Sequence, residues 1–437
     1  MLLIRVHRKK LRLFGVITMV LCLQGFYLYN SIQYPTIDSS TPDCIDYNRT
    51  VELPEWYNNI SFNLADYVLP ENDTTLLEPH NICRDKIFIL IVVFSVADNF
   101  AIRQNIRSTW GNTTDFNYNI FSQMHEHLHG KYLNPSPYRL RYYKDYIMGN
   151  LGNSSNSSFS NIMYTPSIIP VRIVFLIGCQ KYESMLGNES RKLLHSESER
   201  YDDIILENFI DSYENLTIKA MMTLKWFIRR CMHDSALIMK CDDDTFVNVP
   251  NLLHYLLGGT IPLYDDTLYM HDNFSSQVLA ELNRLNVTHN LLMGVLIRYA
   301  HPITNVTNKW YMPYSMFSED TYPIYLSGAS YIMSSDVVPK LYAAGLNTSL
   351  INLEDLFITG ICADRIKLRR RHNNLFSFDS FWSPCTMKGI ITQHGVVDDA
   401  ILDVYAFVRN LSIKCDPPVE ISSGSWLSYL IWPFKDI

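Results

Sequence analysis

Three stretches of the chain are almost continuously apolar and rich in β-branched residues. They cover residues 86–94, 171–178 and 236–240. Such runs are typical of strands that are buried on both faces, as in a parallel sheet covered by helices. Between two of them, apolar side chains recur every three or four residues and predict one buried face of a helix: Leu216, Ala220, Leu224, Phe227 and Cys231. Strands alternating with helices predict an α/β fold with a mostly parallel sheet.

The first 29 residues predict a single membrane anchor. Residues 1–12 hold five basic residues and no acid, and residues 13–29 carry no charge. Seventeen residues lie near the lower limit for a transmembrane helix. The basic flank predicts that the N-terminus is cytosolic and that the remainder is lumenal. Because no small-x-small site follows the apolar run, a retained signal anchor is favoured over a cleaved signal peptide.

Glycosylation sequons and cysteines favour the same compartment. The chain has thirteen Asn-x-Ser/Thr sequons, whereas chance would give about four. Such an excess is expected of a chain that passes through the secretory lumen. Asn215 is one of them, but it opens a predicted helix and is expected to be structural. The eight cysteines that follow the anchor can form four disulfides there, with a pairing that the sequence leaves open.

The lumenal part divides into two predicted regions. Residues 30–82 contain several prolines and three sequons without sustained periodicity, and they predict a stem. A folded domain is predicted over residues 83–437, with residues 118–168 as an inserted surface loop because they are rich in Asn, Ser and Tyr and lack a pattern. The formal net charge of −7 weighs against a nucleic-acid partner.

An acidic triplet directly follows the third apolar run. Asp242, Asp243 and Asp244 would repel one another unless a positive charge neutralises them. Carboxylate oxygens suit Mg²⁺ or Mn²⁺, which usually also bind phosphate oxygens. Ligands of open α/β sheets bind at the carboxyl ends of strands, which is where the triplet lies. A solvated loop or a helix cap is the alternative. A phosphohydrolase of the Asp-x-Asp-x-Thr/Val type is excluded because Phe246 stands two places after Asp244.

The triplet and its neighbours resemble a known family. The sequence Lys-Cys-Asp-Asp-Asp-Thr-Phe-Val-Asn at 240–248 is similar to the metal motif of the β1,3-galactosyltransferase and β1,3-N-acetylglucosaminyltransferase family, glycosyltransferase family 31. Further blocks match in the family's order, namely residues 103–111, 174–178, 199–205, 209–219, 309–313, 322–328 and 354–360. Leu326 stands where many members have Cys, so the resemblance implies that one family disulfide is absent or rerouted.

The resemblance implies a GT-A-like, nucleotide-sugar-binding fold and an inverting, metal-dependent enzyme. It would move galactose from UDP-galactose in β1,3 linkage onto a glycoprotein or glycolipid glycan. It would be a single-pass type II Golgi membrane protein with a lumenal catalytic domain. Transfer of N-acetylglucosamine or N-acetylgalactosamine is the near alternative. An inactive glycan-binding or chaperone relative is a third, disfavoured by the intact triplet.

The resemblance also implies roles for individual residues. Asp355 would be the general base, although Glu354 and Asp355 would also suit the first turn of a helix. Asp244, Asp242 and His394 would bind Mn²⁺ or Mg²⁺, with Asp243 on the nucleoside side. A structural role is the alternative for His394.

Two further groups lie in matched blocks. Arg103, Arg107 and Lys219 would bind the nucleotide-sugar, with ion pairing to Asp202, Asp203 or Asp211 as the alternative. Trp310, Gly328 and Glu354 would line the acceptor or sugar pocket, with core packing as the alternative for Trp310.

Overall fold

The computed structural model describes residues 61–112, 115–117, 119–136, 139–140, 168–180, 185–270, 287–378 and 383–417. All of them belong to one compact unit, Cys44–Ile437. The predicted cytosolic tail and anchor, residues 1–29, lie outside the described residues. Within the described residues, no helix combines the length and the apolar character that crossing a membrane requires.

Strands and helices alternate along most of the described chain. The strands are β1 Thr75–Leu77, β2 Ile87–Phe94, β3 Asp115–Asn117, β4 Ile168–Cys179, β5 Ile204–Ile210, β6 Ser235–Asp242, β7 Phe246–Val247, β8 Leu292–Ile297, β9 Tyr325–Ser334, β10 Arg371–His372, β11 Phe376–Ser377 and β12 Thr392–Gln393. The α-helices are α1 Ala65–Val68, α2 Phe100–Ser108, α3 Asn119–Met124, α4 Met185–Tyr201, α5 Leu216–Arg230, α6 Val249–Leu256, α7 Val338–Leu346, α8 Ala363–Arg365, α9 Pro384–Gly389 and α10 Ala400–Arg409. A π-helical segment, Leu356–Cys362, leads into α8. Short 3₁₀ turns cover Glu126–Leu128, Tyr213–Asn215, Asp265–Met270 and Ser335–Val337.

A large mixed sheet forms the centre of the fold. Its strand order is β1-β5-β4-β2-β6-β9-β8-β10, with β3 paired to β4. The three predicted strands are confirmed as the parallel neighbours β4, β2 and β6, and β5 is parallel to β4. The other half departs from the prediction of a mostly parallel sheet, because β9 runs antiparallel to both β6 and β8. The mixed α/β architecture fits a GT-A-like fold.

Strand β2 is buried on both faces, as its unbroken apolar run predicts. All eight of its residues are buried. Ile89, Ile91 and Val93 pack in one hydrophobic cluster, whereas Leu90 and Val92 pack in a second cluster. Each large apolar side chain contributes roughly 2 kcal/mol when fully buried. Burial of β2 therefore fixes its own carboxyl end and, through strand pairing, the neighbouring end of β6 at Asp242.

The chain is ordered earlier than the predicted stem boundary at residue 82. Strand β1 pairs antiparallel with β5, and Thr74 and Thr75 donate hydrogen bonds of 2.7 Å to the two carboxylate oxygens of Glu207. The ammonium group of Lys225 donates to the carbonyl oxygen of Val68 at 2.8 Å. Residues 61–82 are therefore part of the sheet and of the layer that covers it. The stem prediction relied on polar composition, and part of that composition belongs to the edge strand β1.

The predicted surface loop over 118–168 also contains buried structure. In its described part, Phe121, Met124 and Leu128 are at most 2% exposed. His125 is fully buried and bonds to Tyr264 and to an amide oxygen of α6. Residues 119–136 therefore form a helical cap on the core, which the prediction missed because the segment is too short to show a helical period.

In the described structure, the four disulfides that the cysteine count allowed do not all form. Cys83 is bonded to Cys231, and Cys385 to Cys415, and Cys179 is also disulfide-bonded. Cys241 and Cys362 are buried free thiols. Leu326, the predicted departure from the family, packs in the same cluster as Cys362.

Candidate active site

A small second sheet brings the acidic triplet and His394 together. It has the order β11-β12-β7, and β12 runs antiparallel to β7 with Gln393 opposite Phe246. Asp244 precedes β7 and His394 follows β12. The Val396 N–H donates to the carbonyl oxygen of Asp244 at 2.8 Å. Two segments about 150 residues apart in sequence are thereby fixed side by side.

Asp242, Asp244 and His394 offer ligand atoms that all lie within 4.8 Å of one another. The three side chains are 34%, 32% and 38% exposed, so both a cation and a phosphate can reach them. The His394 Nε2 atom lies 3.3 Å from Asp244 Oδ2. Burial would raise the pKa of Asp244, but the imidazole of His394 outweighs it and lowers that pKa.

The residues fit a divalent cation. The second carboxylate oxygen of Asp244, Oδ1, is buried and has no hydrogen-bond partner among the described residues. A buried carboxylate oxygen without a partner is costly. Two carboxylates and one imidazole form a donor set that suits Mn²⁺ and accommodates Mg²⁺.

Asp243 belongs to a different environment from its two neighbours. Its Oδ2 atom accepts a 2.9 Å hydrogen bond from the side-chain amide of Asn99, and its backbone N–H donates to the Phe94 carbonyl oxygen. Burial raises the pKa of Asp243, and hydrogen bonds from Asn99 and Ser95 partly oppose this rise. Asp243 therefore faces the loop that follows β2, which the sequence did not single out.

Lys240 is the buried cation of the site. It is 5% exposed and lies two places before Asp242, on the same face of β6. Its ammonium nitrogen lies 2.7 Å from Asp242 Oδ1 and 3.5 Å from Glu354 Oε2. It also donates to the Gly328 carbonyl oxygen. Burial lowers the pKa of Lys240, but the surrounding carboxylates outweigh it and raise that pKa, so the group is a permanent cation.

Asp355 lies at the start of the π-helical segment and points back to the sheet. Its Oδ1 accepts from the Leu356 N–H at 2.8 Å, and its Oδ2 accepts from the Gly328 N–H at 2.9 Å. Asp355 therefore does lie at the start of a helical segment, as the structural alternative predicted. Its carboxylate also accepts a hydrogen bond from strand β9. A Cβ atom at Gly328 would lie 3.1 Å from Asp355 Oδ2, so the absence of a side chain at Gly328 lets Asp355 approach this strand.

Glu354 is buried beneath the site. It is 5% exposed and accepts a hydrogen bond from the Tyr331 hydroxyl group. Burial raises the pKa of Glu354 to about 7, while Lys240 acts in the opposite direction. With its carboxylate turned towards Lys240, Glu354 belongs to the floor of the site, whereas the sequence placed it in the sugar pocket.

The three cations that were predicted to bind the nucleotide are occupied within the protein. Arg103 is fully buried, with bonds of 2.8 and 2.7 Å to Glu197. Arg107 holds Asp203 through two bonds of 2.7 Å.

Lys219 is 1% exposed and lies 2.7 Å from an oxygen of Asp211, and it also donates to the Ser95 carbonyl oxygen. For Arg107 and Lys219, this is the ion-pair alternative that the sequence left open. All three cations hold the loop after β2 or the strand ends in place.

An exposed aromatic shelf, defined here as Tyr213, Lys309 and Trp310, flanks the site. Tyr213 and Trp310 are 42% and 47% exposed. The ammonium group of Lys309 lies 5.7 Å from the ring centre of Tyr213 and 4.7 Å from that of Trp310. Burial raises the pKa of Tyr213 to about 12, and the negative charges of Asp355 and Asp242 add to the rise. Tyr213 is therefore within electrostatic reach of both carboxylates.

Comparison with known proteins identifies the family. The galactosyltransferase family model matches residues 152–281 and 264–374, which together make up just over half of the chain. The chain belongs to this galactosyltransferase family. The family assignment agrees with the resemblance that the ordered sequence blocks indicate.

Similar relatives include both N-acetylglucosaminyltransferases and a galactosyltransferase. A lactosylceramide 1,3-N-acetyl-beta-D-glucosaminyltransferase A from Danio rerio is 30% identical over 73% of this chain and 66% of the relative. A protein of the same name from Xenopus laevis is 33% identical over 62% of this chain and 63% of the relative. The chain thus spans just under two thirds of the length of these relatives. Beta-1,3-galactosyltransferase 1 from Mus musculus is 26% identical over 86% of this chain and 90% of the relative.

Proposed function

We propose that this family member is an inverting, metal-dependent β1,3-glycosyltransferase that uses a UDP-sugar. The observation that carries the proposal is the placement of a divalent-cation donor set and a separate carboxylate at one end of the sheet. Asp242 of the donor set is connected to Asp355 through the contacts of Lys240 and Gly328. A cation site and a base that are linked in this way suit a leaving diphosphate and an attacking alcohol.

The site residues supply the two functions that such a transfer needs. Asp242, Asp244 and His394 would hold Mn²⁺ or Mg²⁺, whose chemistry there is to neutralise the diphosphate of the departing UDP. Asp355 would accept the proton of the acceptor hydroxyl group. The oxygen of that hydroxyl group would bond to the anomeric carbon while the bond from this carbon to UDP breaks. A single displacement of this kind inverts the anomeric configuration and needs no covalent intermediate.

The aromatic shelf would bind the acceptor glycan. Sugar rings present C–H groups on one face and hydroxyl groups at the rim, which suits an indole ring beside an ammonium group. Tyr213 lies within electrostatic reach of Asp355, so a sugar on the shelf would present its hydroxyl group to the proposed base.

We assign galactose as the donor sugar, with N-acetylglucosamine as the second candidate. The match to the galactosyltransferase 1 extends over 90% of that relative, which favours galactose. The lactosylceramide N-acetylglucosaminyltransferases have higher identity, 30% and 33%, over a smaller share of their length. That second observation keeps N-acetylglucosamine as an explicit alternative.

The intact donor set and Asp355 support an active enzyme over an inactive glycan-binding or chaperone relative. We also propose that residues 13–29 anchor the protein in the Golgi membrane as a type II protein, with the folded unit in the lumen. The pattern in the first 29 residues and, among the described residues, the exposed sequons Asn72, Asn112, Asn305, Asn347 and Asn410 support this topology.

A donor panel tests the proposal. The full-length chain in detergent is incubated with Mn²⁺, a glycan acceptor mixture and UDP-galactose, UDP-N-acetylglucosamine or UDP-N-acetylgalactosamine, and UDP release is measured. We expect acceptor-dependent release with UDP-galactose, lost on addition of EDTA and restored by Mn²⁺. Faster release from UDP-N-acetylglucosamine would transfer the assignment to the second candidate, and no release from any donor would favour the inactive relative.

A further inference from the structure

Lys240 is the one residue that contacts both halves of the proposed site through its own side chain in the described structure. Its ammonium group bonds to Asp242 on the metal side, to the Gly328 carbonyl oxygen on the Asp355 side, and to Glu354 below. It also lies 4.8 Å from the ring centre of Phe94. A fully desolvated cation with this many fixed partners has a defined position.

We propose that Lys240 is a positioning residue that fixes Asp242 for a divalent cation and limits how tightly that cation is bound. The inference rests on the proposed function, since it concerns the same site. Lys240 Nζ lies 2.7 Å from Asp242 Oδ1, so it is the counter-ion of this carboxylate before a metal binds. A cation that binds Asp242 must share the carboxylate with the ammonium group of Lys240 or displace that ammonium group.

The charges around Lys240 determine the direction of this effect. A positive charge beside a metal ligand opposes metal binding, and its removal leaves Asp242 with an uncompensated negative charge. Removal of Glu354 acts in the opposite direction, because Lys240 then has Asp242 as its remaining side-chain counter-ion. Loss of Lys240 should therefore strengthen cation binding, and loss of the Glu354 charge should weaken it.

The contact of Lys240 with Gly328 gives the same residue a second effect. The Gly328 N–H donates to Asp355 Oδ2 at 2.9 Å, while the carbonyl oxygen of Gly328 accepts from Lys240. Gly328 is thus held between the ammonium group and the proposed base. Without Lys240, turnover should fall because Asp355 is displaced, even though the cation is bound more tightly.

Titration of Mn²⁺ into the full-length chain in detergent, at one fixed pH and without a sugar, tests the inference by calorimetry. We expect Lys240→Met to lower the Kd for Mn²⁺ by about tenfold and Glu354→Gln to raise it by about threefold. Lys240→Arg, which keeps the charge, should stay within about threefold of the wild type. Lys225→Met is the matched control, because Lys225 is also a buried lysine, 4% exposed, that bonds to Val68 and Thr74 instead.

Turnover gives the second readout. With saturating Mn²⁺, Lys240→Met should have a kcat at least about tenfold below the wild type while its Mn²⁺ Kd is lower. If Lys240 had a purely structural role, Lys240→Met would lower kcat and would also bind Mn²⁺ more weakly. If Lys240→Met does not fold, Lys240→Met/Glu354→Gln removes the buried pair together, and it must bind Mn²⁺ more tightly than Glu354→Gln alone.

The outcomes separate this inference from the proposed function. A wild type that binds Mn²⁺, with Lys240→Met binding it equally or more weakly, overturns the role of Lys240 and leaves the enzyme proposal intact. A wild type that shows no Mn²⁺ binding removes the metal from the proposed function and the present inference with it.

Discussion

At the scale of single residues, the site depends on backbone groups as much as on side chains. Asp355 is held by two N–H groups, one from its own helix and one from Gly328. Burial raises the pKa of Asp355, and both hydrogen bonds oppose this rise. The carboxylate is therefore fixed in direction and retains lone pairs for an incoming hydroxyl group.

Asp355→Asn should abolish most turnover. An amide of the same shape cannot accept the acceptor proton, and loss of a general base costs about 10²- to 10⁴-fold in kcat. The KM for the UDP-sugar should change by less than about threefold, because Asp355 is not in the proposed donor set. Steady-state UDP release checks both constants. Asp364→Asn, at a 51% exposed carboxylate in α8, is the control, and unchanged kcat in Asp355→Asn would remove the base assignment.

Trp310→Ala should weaken acceptor binding specifically. Stacking on the indole contributes about 1–2 kcal/mol, so the acceptor KM should rise roughly tenfold while the donor KM stays within about twofold. Trp310→Phe should recover part of the loss. Tyr314→Ala removes another aromatic ring of the same loop, 80% exposed, and serves as the control. An equal rise in both KM values would place Trp310 on the donor side instead.

At the scale of elements, the continuous apolar strands were predictable and the polar ones were not. Strands β2, β4 and β6 are long apolar runs, and helix α5 has a clear period. Strand β9 interrupts its apolar residues with Ser327, Gly328 and Ser330, and its pattern does not distinguish a strand from a loop. One of these small residues, Gly328, allows Asp355 to approach, so a requirement of the site helped to obscure the strand.

The site itself was predictable to the extent that it follows a strand or a matched block. Asp242 ends β6 and Asp244 follows it, and the order of blocks indicated His394 and Asp355. Lys240 and Glu354 were visible in the same blocks, but their contact requires the β6–β9 pairing, which no local pattern contains. Arg103 looked like a ligand for diphosphate because a sequence does not show that its donors are used by Glu197 and backbone carbonyls.

Strand β1 gives a prediction about boundaries. A chain that begins at residue 61 keeps β1, the Thr74 and Thr75 bonds to Glu207, and the partners of Lys225. A chain that begins at residue 83 leaves Glu207 and Lys225 buried without those partners, at a cost of about 1–3 kcal/mol for each unsatisfied group. Urea denaturation followed by circular dichroism should show a markedly lower midpoint for the shorter chain. Equal midpoints would show that residues 61–82 do not stabilise the folded domain, as the stem prediction has it.

At the scale of the whole molecule, buried histidines couple folding to pH. His125 and His254 both pack against the ring of Phe121, and the rings of Phe121 and His254 stack with centroids 3.5 Å apart. Burial lowers the pKa of His125 to about 4 and that of His254 to about 3. Their ordinary value is about 6.5. The contacts of these rings join residues 119–136 to α6, so protonation of either histidine affects the packing of the core.

The free energy of unfolding should fall between pH 6.5 and pH 4. In this range, the unfolded chain binds protons on both histidines while the folded chain does not, so acid favours unfolding. Each histidine contributes a slope of about 1.4 kcal/mol per pH unit and a total of roughly 3 kcal/mol. His254→Phe should make the slope shallower by about 1.4 kcal/mol per pH unit, because one of the two titrating groups is removed. The variant should still fold, because the ring stack is kept and the Leu133 carbonyl oxygen still accepts from the Thr260 N–H. Urea unfolding of the full-length chain at a series of pH values measures the difference from the wild type. His233→Phe, at an exposed position, is the matched control, and identical slopes for His254→Phe and the wild type would show that His254 does not couple folding to pH.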